Sequence, residues 1–153
     1  MSDLKHTILL IGPMGSGKTT VGRKLAAMLG SSFCDTDKEI EAKTGVNIAY
    51  IFDIEGEKGF RKRESEVLLE KSQLNNIVIS TGGGIIELEE NRMVLKNYGH
   101  VIYLKTSIQQ QKERATPNQN RPLLLNVDPE KQLTELMIKR GPLYEETADQ
   151  VII

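Results

Sequence analysis

Short apolar runs alternate with longer amphipathic stretches along the whole chain. Five of the runs predict β-strands, because most of them are brief and continuously apolar, as in a parallel sheet covered on both faces. The predicted strands are Ile8–Ile11, Ser32–Asp35, Ile77–Ser80, Val101–Leu104 and Gln150–Ile153. Their spacing leaves room for helical connections between successive strands.

Four stretches between the predicted strands carry apolar residues at the spacing of an amphipathic helix. The first includes Val21 and Leu25, and Gly30 after it is a signal for the helix to end. The other three lie around Phe60, Val67 and Leu68, over Leu88–Lys96, and over Glu130–Lys139. Strands that alternate with helices in this way predict an α/β sandwich with a parallel sheet.

One polar stretch, Thr116–Pro122, breaks the alternation. It is rich in turn-forming residues and has no apolar period. We predict a mobile surface loop, and place a lid over about residues 110–125, because such loops often cover active sites. A plain linker between two helices is the alternative.

The composition indicates a single domain over residues 1–153. The 20 basic and 21 acidic residues give a formal net charge of −1, so no general attraction to nucleic acid or membrane is evident. The single cysteine, Cys34, excludes an internal disulfide and is expected to serve packing in its apolar strand. Because no apolar stretch could cross a bilayer and Met1–His6 lacks the apolar core of a signal peptide, we expect a cytoplasmic protein.

Candidate chemistry is clearest in Gly12–Thr19, which matches the phosphate-binding loop pattern G-x-x-x-x-G-K-[ST] in full. The motif follows the first apolar run and precedes a helical pattern. Its glycines allow backbone N–H groups to converge on phosphate oxygens, and a helix N-terminus favours the same anion. Lys18 is expected to reach the β- and γ-phosphates, and Thr19 to ligate Mg²⁺. These features favour a nucleoside triphosphate site over an ordinary glycine-rich turn.

Acidic and glycine-rich segments follow the second and third predicted strands, at the sheet edge where ligands bind in open parallel sheets. Asp35 and Asp37 are two residues apart, so in extended chain both carboxylates can face one site and serve Mg²⁺ and a substrate hydroxyl. Alternatively, Thr36 or Asp37 caps a helix that begins near Lys38. Gly82–Gly84 indicates close approach of the backbone to a ligand, with a flexible turn as the alternative.

Two arginines have competing interpretations. Arg61 has Glu57 and Glu64 at helical pairing distance, so a surface ion pair is an alternative to a ligand-binding role. Arg140 directly precedes Gly141–Pro142, where we expect a helix to end, and a cation there can simply complement the helix dipole. Local sequence does not decide the function of either arginine.

In their order and spacing, these segments resemble the shikimate kinase family over essentially the whole chain. Apart from the phosphate loop, no single segment is specific for this family. The order and spacing of all the segments together are specific for it. The matching segments are Gly12–Arg23, Phe33–Asp37, Ile51–Phe52, Gly56–Arg61 with Glu64 after it, Ser80–Gly84, Arg121–Leu124 and Arg140–Tyr144.

The resemblance implies a P-loop fold of the nucleoside-monophosphate-kinase type, with a five-stranded parallel sheet, helices on both faces and a mobile lid. It implies transfer of the ATP γ-phosphate to the 3-hydroxyl of shikimate, with Mg²⁺ as the cofactor, in aromatic amino acid biosynthesis. We expect a monomer whose partners are the small molecules shikimate and ATP.

The resemblance also implies roles for individual residues. Lys18, Asp37 and Arg121 correspond to catalytic residues, with Asp37 acting as a base or orienting the substrate hydroxyl. Thr19 and Asp35 correspond to the Mg²⁺ site. The implied nucleotide-binding set is Gly12, Met14, Gly15, Ser16, Gly17, Lys18, Thr19, Thr20, Arg114 and Arg121. The implied substrate-binding set is Asp37, Arg61, Gly82, Gly83, Gly84 and Arg140, with the two arginines on the substrate carboxylate.

Two other classes are compatible with a phosphate loop. A gluconate or nucleotide kinase on the same fold would share the loop and a lid, but is not expected to share the acidic, triple-glycine and Arg140 segments together. A GTP-binding switch is the second, because Asp53–Gly56 has the form Asp-x-x-Gly. That segment follows a helical stretch instead of a strand, and no Asn-Lys-x-Asp guanine-binding motif occurs in the chain.

The end of the sequence leads to a further expectation. Shikimate kinases typically continue past the last strand into a loop that packs on adenine and then a closing helix, and neither follows Gln150–Ile153 here. A last strand of this kind looks buried and should have both faces covered. We therefore expect exposed apolar surface at this strand, and a chain shortened relative to the functional protein.

Overall fold

The computed structural model of the chain describes residues 6–114 and 128–153. Five strands alternate with helices in these two ranges. The strands are β1 Thr7–Ile11, β2 Ser32–Asp35, β3 Ile77–Ser80, β4 His100–Leu104 and β5 Gln150–Ile152. The α-helices are α1 Lys18–Leu29, α2 Thr36–Thr44, α3 Ile48–Ser72, α4 Glu89–Tyr98, α5 Ile108–Arg114 and α6 Pro129–Thr147, and a 3₁₀-helix spans Gly83–Glu87.

The five strands form one parallel sheet in the order β2-β3-β1-β4-β5. Each predicted strand is confirmed to within one residue at either end. The central strand β1 pairs with β3 on one side and β4 on the other, so Leu9 lies opposite both Ile79 and Val101. Because the chain leaves β1 toward β2 and later returns to β4 on the other side, the carboxyl end of β1 is a switch point where a crevice forms.

Helices cover both faces of the sheet, as predicted. Leu9 and Ile11 of β1 belong to a buried cluster with Leu68 of α3, whereas Leu10 packs with Ala26 of α1 on the other face. Successive side chains of a strand point to opposite faces, so this division shows that the sheet is buried on both sides. None of the helices in the described ranges has the length and apolarity needed to cross a membrane.

Cys34 of β2 is buried in the larger cluster, which confirms its predicted packing role. Burial is the main reason that the pKa of its thiol is raised to about 11. A thiol protonated over the physiological range is a poor nucleophile, so Cys34 is chemically inert in the folded protein.

The predicted end of a helix at Gly141–Pro142 is wrong, because α6 continues to Thr147. Pro142 cannot donate to the carbonyl of Ile138 one turn earlier, which normally disfavours proline inside a helix. Ile138 is exposed, so water can solvate that carbonyl, and fully buried Tyr144 anchors the following turn in the core. Tertiary packing here outweighs the local signal.

The last strand is not buried, contrary to its apolar appearance in the sequence. β5 pairs only with β4 among the described strands, and Val151 and Ile152 keep about 40% and 44% of their surface exposed. The expected exposed apolar surface at this strand is therefore present. Most of the proposed lid, including Arg121, lies outside the described residues. Only residues 110–114, at the end of α5, belong to both.

Candidate active site

The phosphate-binding loop connects β1 to the N-terminus of α1. Gly12, Gly15 and Gly17 all have positive φ angles, a conformation that other residues rarely adopt. Gly12 is also closely packed, because a methyl group added there would lie 2.6 Å from the Leu104 carbonyl oxygen at the end of β4. Glycine is therefore required at this position both for its backbone conformation and for its lack of a side chain.

The side chain of Lys18 turns back into this loop. Its Nζ donates hydrogen bonds to the carbonyl oxygens of Gly12 and Pro13 at 2.7 and 2.8 Å, and to Ser16 Oγ at 3.3 Å. Arg114 approaches the loop from the end of α5 and donates to the Gly15 carbonyl at 2.6 Å. The structure thus brings two of the three predicted nucleotide-binding cations, Lys18 and Arg114, to the phosphate loop.

The hydroxyl of Thr19 meets a carboxylate from the neighbouring strand. Thr19 Oγ1 donates to Asp35 Oδ2 at 2.8 Å and lies 3.3 Å from Ser80 Oγ at the end of β3. Hydroxyl and carboxylate oxygens are the hard donors that Mg²⁺ prefers, so the residues fit this ion. No group of three or more acidic, histidine or cysteine residues in the described ranges could hold a metal. A site with few protein ligands suits Mg²⁺, which takes its remaining ligands from phosphates and water.

Asp35 has a second role, as the N-cap of α2. Its Oδ1 accepts hydrogen bonds from the backbone N–H groups of Asp37 and Lys38 at 2.9 and 3.2 Å. The suggestion that Thr36 or Asp37 caps this helix is therefore wrong, and the helix begins at Thr36. Asp37 reaches the site from the first helical turn, not from extended chain, because the helix starts directly after the strand.

Asp37 is half-buried, and its Oδ1 is shielded from solvent without a hydrogen-bond partner in the described part of the chain. Burial, together with the nearby Asp35 charge, raises the pKa of Asp37 to about 6, against the opposing charges of Lys18 and Arg61. A carboxylate with this pKa is mostly ionised at neutral pH and can still accept a proton, which is the property a general base needs.

Two of the three glycines after β3 are closely packed, Gly82 against acidic side chains and Gly84 against Arg61. A methyl group at Gly82 would lie 2.8 Å from Glu64 Oε2 and 3.1 Å from Asp37 Oδ1, and one at Gly84 would overlap the guanidinium of Arg61. The Gly82 N–H also donates to Thr36 Oγ1 at 3.2 Å, which connects the loop to the start of α2. Gly82 and Gly84 therefore serve close approach, not merely flexibility.

Arg61 is paired, as its local sequence allowed, yet it is also part of the site. Its guanidinium donates to Glu64 at 2.8 Å and to Glu57 at 3.3 Å, on the side of α3 that faces Gly84. Glu64 is fully buried, and its Oε2 has no hydrogen-bond partner in the described ranges. Burial and the charge of Asp37 raise the pKa of Glu64 to about 7, although Arg61 opposes this.

Arg140 of α6 is buried and lies on the other side of the glycine loop, Gly82–Gly84, from Arg61. Its Nε donates to Glu87 Oε2 at 2.6 Å, and its Nη1 lies 3.5 Å from where a methyl group at Gly83 would be. Two turns of helix follow Arg140, so it does not complement the dipole at a helix end. Tyr144 lies one turn further along and donates its hydroxyl proton to the Gly83 carbonyl at 2.5 Å.

The remaining predicted residues border the same crevice. Met14 lines a small cleft between the phosphate loop and α6 together with Arg140, and Thr20 is exposed on the first turn of α1. Sequence reasoning missed Ser80 as a neighbour of Thr19, and Glu87 as the partner of Arg140. Ser80 was detectable as the last residue of a predicted strand, whereas Glu87 is 53 positions from Arg140 and carries no local signal.

A kinase of the P-loop class, on the nucleoside-monophosphate-kinase type of fold, is the protein class that this sheet order and phosphate loop define. A sequence model of the family described as shikimate kinase matches residues 14–153. The chain belongs to the shikimate kinase family and is an ATP-dependent phosphotransferase.

Individual relatives agree with the family match. The shikimate kinase of Chromohalobacter salexigens is 53% identical over 146 residues, which are 95% of this chain and 81% of that relative. The shikimate kinase of Histophilus somni is 51% identical over 149 residues, or 97% of this chain and 85% of that relative. A solved structure of shikimate kinase from Acinetobacter baumannii in complex with shikimate is 49% identical, with a TM-score of 0.96 over 99% of this chain and 84% of that one.

Proposed function

We propose that this enzyme transfers the γ-phosphate of ATP to the 3-hydroxyl of shikimate, giving shikimate 3-phosphate and ADP. The observation that carries the proposal is that Arg61 and Arg140, from different helices, flank the glycine loop that also contacts Asp37. An acceptor with one carboxylate and several hydroxyls fits such a site. Guanidinium groups bind a carboxylate through paired hydrogen bonds, and an ionised aspartate accepts from hydroxyls.

On the nucleotide side, the triphosphate would bind in the phosphate loop. Lys18 and the loop N–H groups would contact the phosphates, and Arg114 would approach from α5. Thr19 and Asp35 would hold Mg²⁺, which when bound neutralises charge on the phosphate oxygens. Arg121 lies outside the described residues, and we propose from the family resemblance that it contacts the transferring phosphate from the lid.

In the transfer step, the acceptor oxygen forms a bond to the γ-phosphorus while the bond between that phosphorus and the β,γ-bridging oxygen breaks. The electron pair leaves with ADP, and the acceptor hydroxyl gives its proton to Asp37. The reaction therefore depends mainly on positioning and charge neutralisation, with no covalent intermediate on the protein.

We also propose that the enzyme works as a cytoplasmic monomer, in line with its single buried cysteine and near-neutral charge.

ADP release in a coupled assay tests the acceptor. We expect rapid release with shikimate, and release at background level with gluconate or nucleoside monophosphates. ATP should serve as a donor. A GTP requirement with indifference to shikimate would instead support a switch protein, although Asp53–Gly56 lies within α3, at a kink where Gly56 has a φ of 74°, and does not follow a strand. Turnover with gluconate or a nucleotide as the better acceptor would contradict the proposal.

Changing Arg61 to lysine should weaken the acceptor site selectively. Arg61→Lys keeps the charge but loses the planar fork that binds a carboxylate through two nitrogens, so we expect the KM for shikimate to rise by about tenfold. The KM for ATP should change less than about twofold, because Arg61 lies beside the glycine loop. Steady-state kinetics with each substrate varied in turn measures both constants.

The matched control is Arg63→Lys on the same helix. Arg63 forms an exposed ion pair with Glu55 and contacts none of the predicted site residues in the hydrogen bonds described, so its replacement should leave both constants unchanged. An Arg61→Lys enzyme with a normal KM for shikimate and only a lower stability would mean that Arg61 serves a structural ion pair.

A further inference from the structure

The carboxylate of Glu87 binds the guanidinium of Arg140 at its Nε. Arg140 Nε donates to Glu87 Oε2 at 2.6 Å, and the other carboxylate oxygen lies 2.9 Å from Lys139 Nζ. The side chains of Arg140 and Glu87 are only 5% and 16% exposed. Contacts this short and this well shielded restrict the rotation of both groups more than an exposed ion pair does.

Glu87 is also coupled to the glycine loop through the backbone. It is the last residue of the 3₁₀-helix Gly83–Glu87, which begins within that loop. Tyr144, on the same helix as Arg140, donates to the carbonyl at the other end of this short element. The loop and Arg140 are therefore connected at two points, so that a shift in one is transmitted to the other.

The contact with Glu87 decides which edge of Arg140 remains for a ligand. A guanidinium has five N–H donors in a fixed plane, and the Nε donor is committed to Glu87. Nη1 points toward Gly83, on the side of the proposed acceptor site. A substrate carboxylate must therefore approach the Nη end of this arginine.

The charge state of Glu87 is consistent with a permanent ionic contact. Burial acts to raise its pKa, but hydrogen bonds from Lys139 and Arg140 hold the pKa below its usual value. Glu87 is therefore ionised at neutral pH. Lys139 offsets part of the negative charge of Glu87, so that Glu87 repels an anionic substrate less.

We propose that Glu87 is a positioning residue, which orients Arg140 so that its Nη end receives the substrate carboxylate. This inference rests on the proposed function, because it takes shikimate as the acceptor. The side chain of Glu87 contacts Arg140 and Lys139 and none of the residues assigned to the phosphates or the reacting hydroxyl, so we expect its effect to fall on acceptor binding.

Three variants of Glu87 distinguish the effect of its side-chain length from the effect of its charge. Glu87→Ala removes the acceptor for Nε, and we expect the KM for shikimate to rise by about tenfold while kcat and the KM for ATP change less than about twofold. Glu87→Asp keeps the charge but shortens the reach, and should raise this KM by about threefold or more. Glu87→Gln keeps an acceptor oxygen at the same reach and should stay within about twofold of the wild type.

Shikimate methyl ester distinguishes positioning from a general structural effect. The ester lacks the anionic carboxylate, so the wild-type enzyme should use it poorly, and Glu87→Ala should cause little additional loss. The control is Glu145→Gln. Glu145 lies on the same helix as Arg140, but it forms an exposed ion pair with Lys105. This control should match the wild type with both acceptors.

Two outcomes would overturn the inference. One is a KM for shikimate that is unchanged in Glu87→Ala and Glu87→Asp. The other is an equal loss of activity toward the acid and the ester, which would indicate a distorted fold. In both cases a wild-type enzyme that phosphorylates shikimate leaves the proposed function intact, whereas a wild type without this activity refutes both.

Discussion

Replacement of Lys18 with alanine is expected to lower the turnover number by at least about a hundredfold. The ammonium group lies within the phosphate loop, on the Gly12 and Pro13 carbonyl oxygens, at the place where the β- and γ-phosphates are proposed to bind. Its charge would offset the negative charge on the phosphate oxygens as the phosphoryl group transfers. Initial rates at saturating ATP and shikimate measure the loss.

The matched control for this change is Lys24→Ala. Lys24 lies on the same helix, α1, but it is exposed and lies outside the loop. Its replacement should leave turnover within about twofold of the wild type, as expected for a surface change away from the site. Circular dichroism should show that both variants fold. Near-normal turnover in a folded Lys18→Ala protein would refute the assignment of this lysine to the transferring phosphate.

Asp37→Asn should have opposite effects on activity and on stability. Loss of the proton acceptor is expected to reduce turnover by about a hundredfold or more. The same change should increase the free energy of unfolding at pH 8 by about 1–2 kcal/mol, because it removes a carboxylate whose ionisation is disfavoured in the folded state. Turnover is measured by ADP release, and stability by urea denaturation.

The pH dependence follows from the direction of the pKa shift. The pKa of Asp37 is raised from 3.8 to about 6 in the folded protein. Protonated Asp37 therefore stabilises the fold fully below about pH 4, and this contribution is lost as the pH rises through about 6. The stability advantage of Asp37→Asn should consequently be absent at pH 4 and largest above pH 7.

The control for the pH experiment is Asp53→Asn, since Asp53 is exposed on α3. Its stability relative to the wild type, measured at the same pH values, shows whether the trend is specific to Asp37. If Asp37→Asn is instead less stable than the wild type at pH 8, the Asp37 carboxylate is not destabilising in its ionised form. Unchanged turnover in this variant would independently remove Asp37 from the proton transfer.

Features that depend on neighbouring residues in the chain were predictable from the sequence. The five strands follow from short apolar runs, because a strand covered on both faces requires them. The phosphate loop follows from glycines whose positive φ angles are local backbone properties. The need for glycine at Gly82 and Gly84 was also predictable, although the groups that contact them, Glu64 and Arg61, were not.

Local signals failed where packing outweighed them. Gly141–Pro142 predicted the end of α6, yet the helix continues because Tyr144 is buried one turn later. Such a case depends on which surfaces meet in three dimensions, and a window of sequence does not contain that information.

By itself, the sequence determined the class of fold, the phosphate loop and the candidate residues for each substrate. The tertiary structure alone decided which of these residues meet. It placed Arg61 and Arg140 on two sides of one glycine loop and Glu87 behind Arg140, 53 positions away in the chain. The physical reason is that contacts between distant residues are set by the order of strands in the sheet and the packing of helices on it, whereas periodicity and motifs reflect only local geometry.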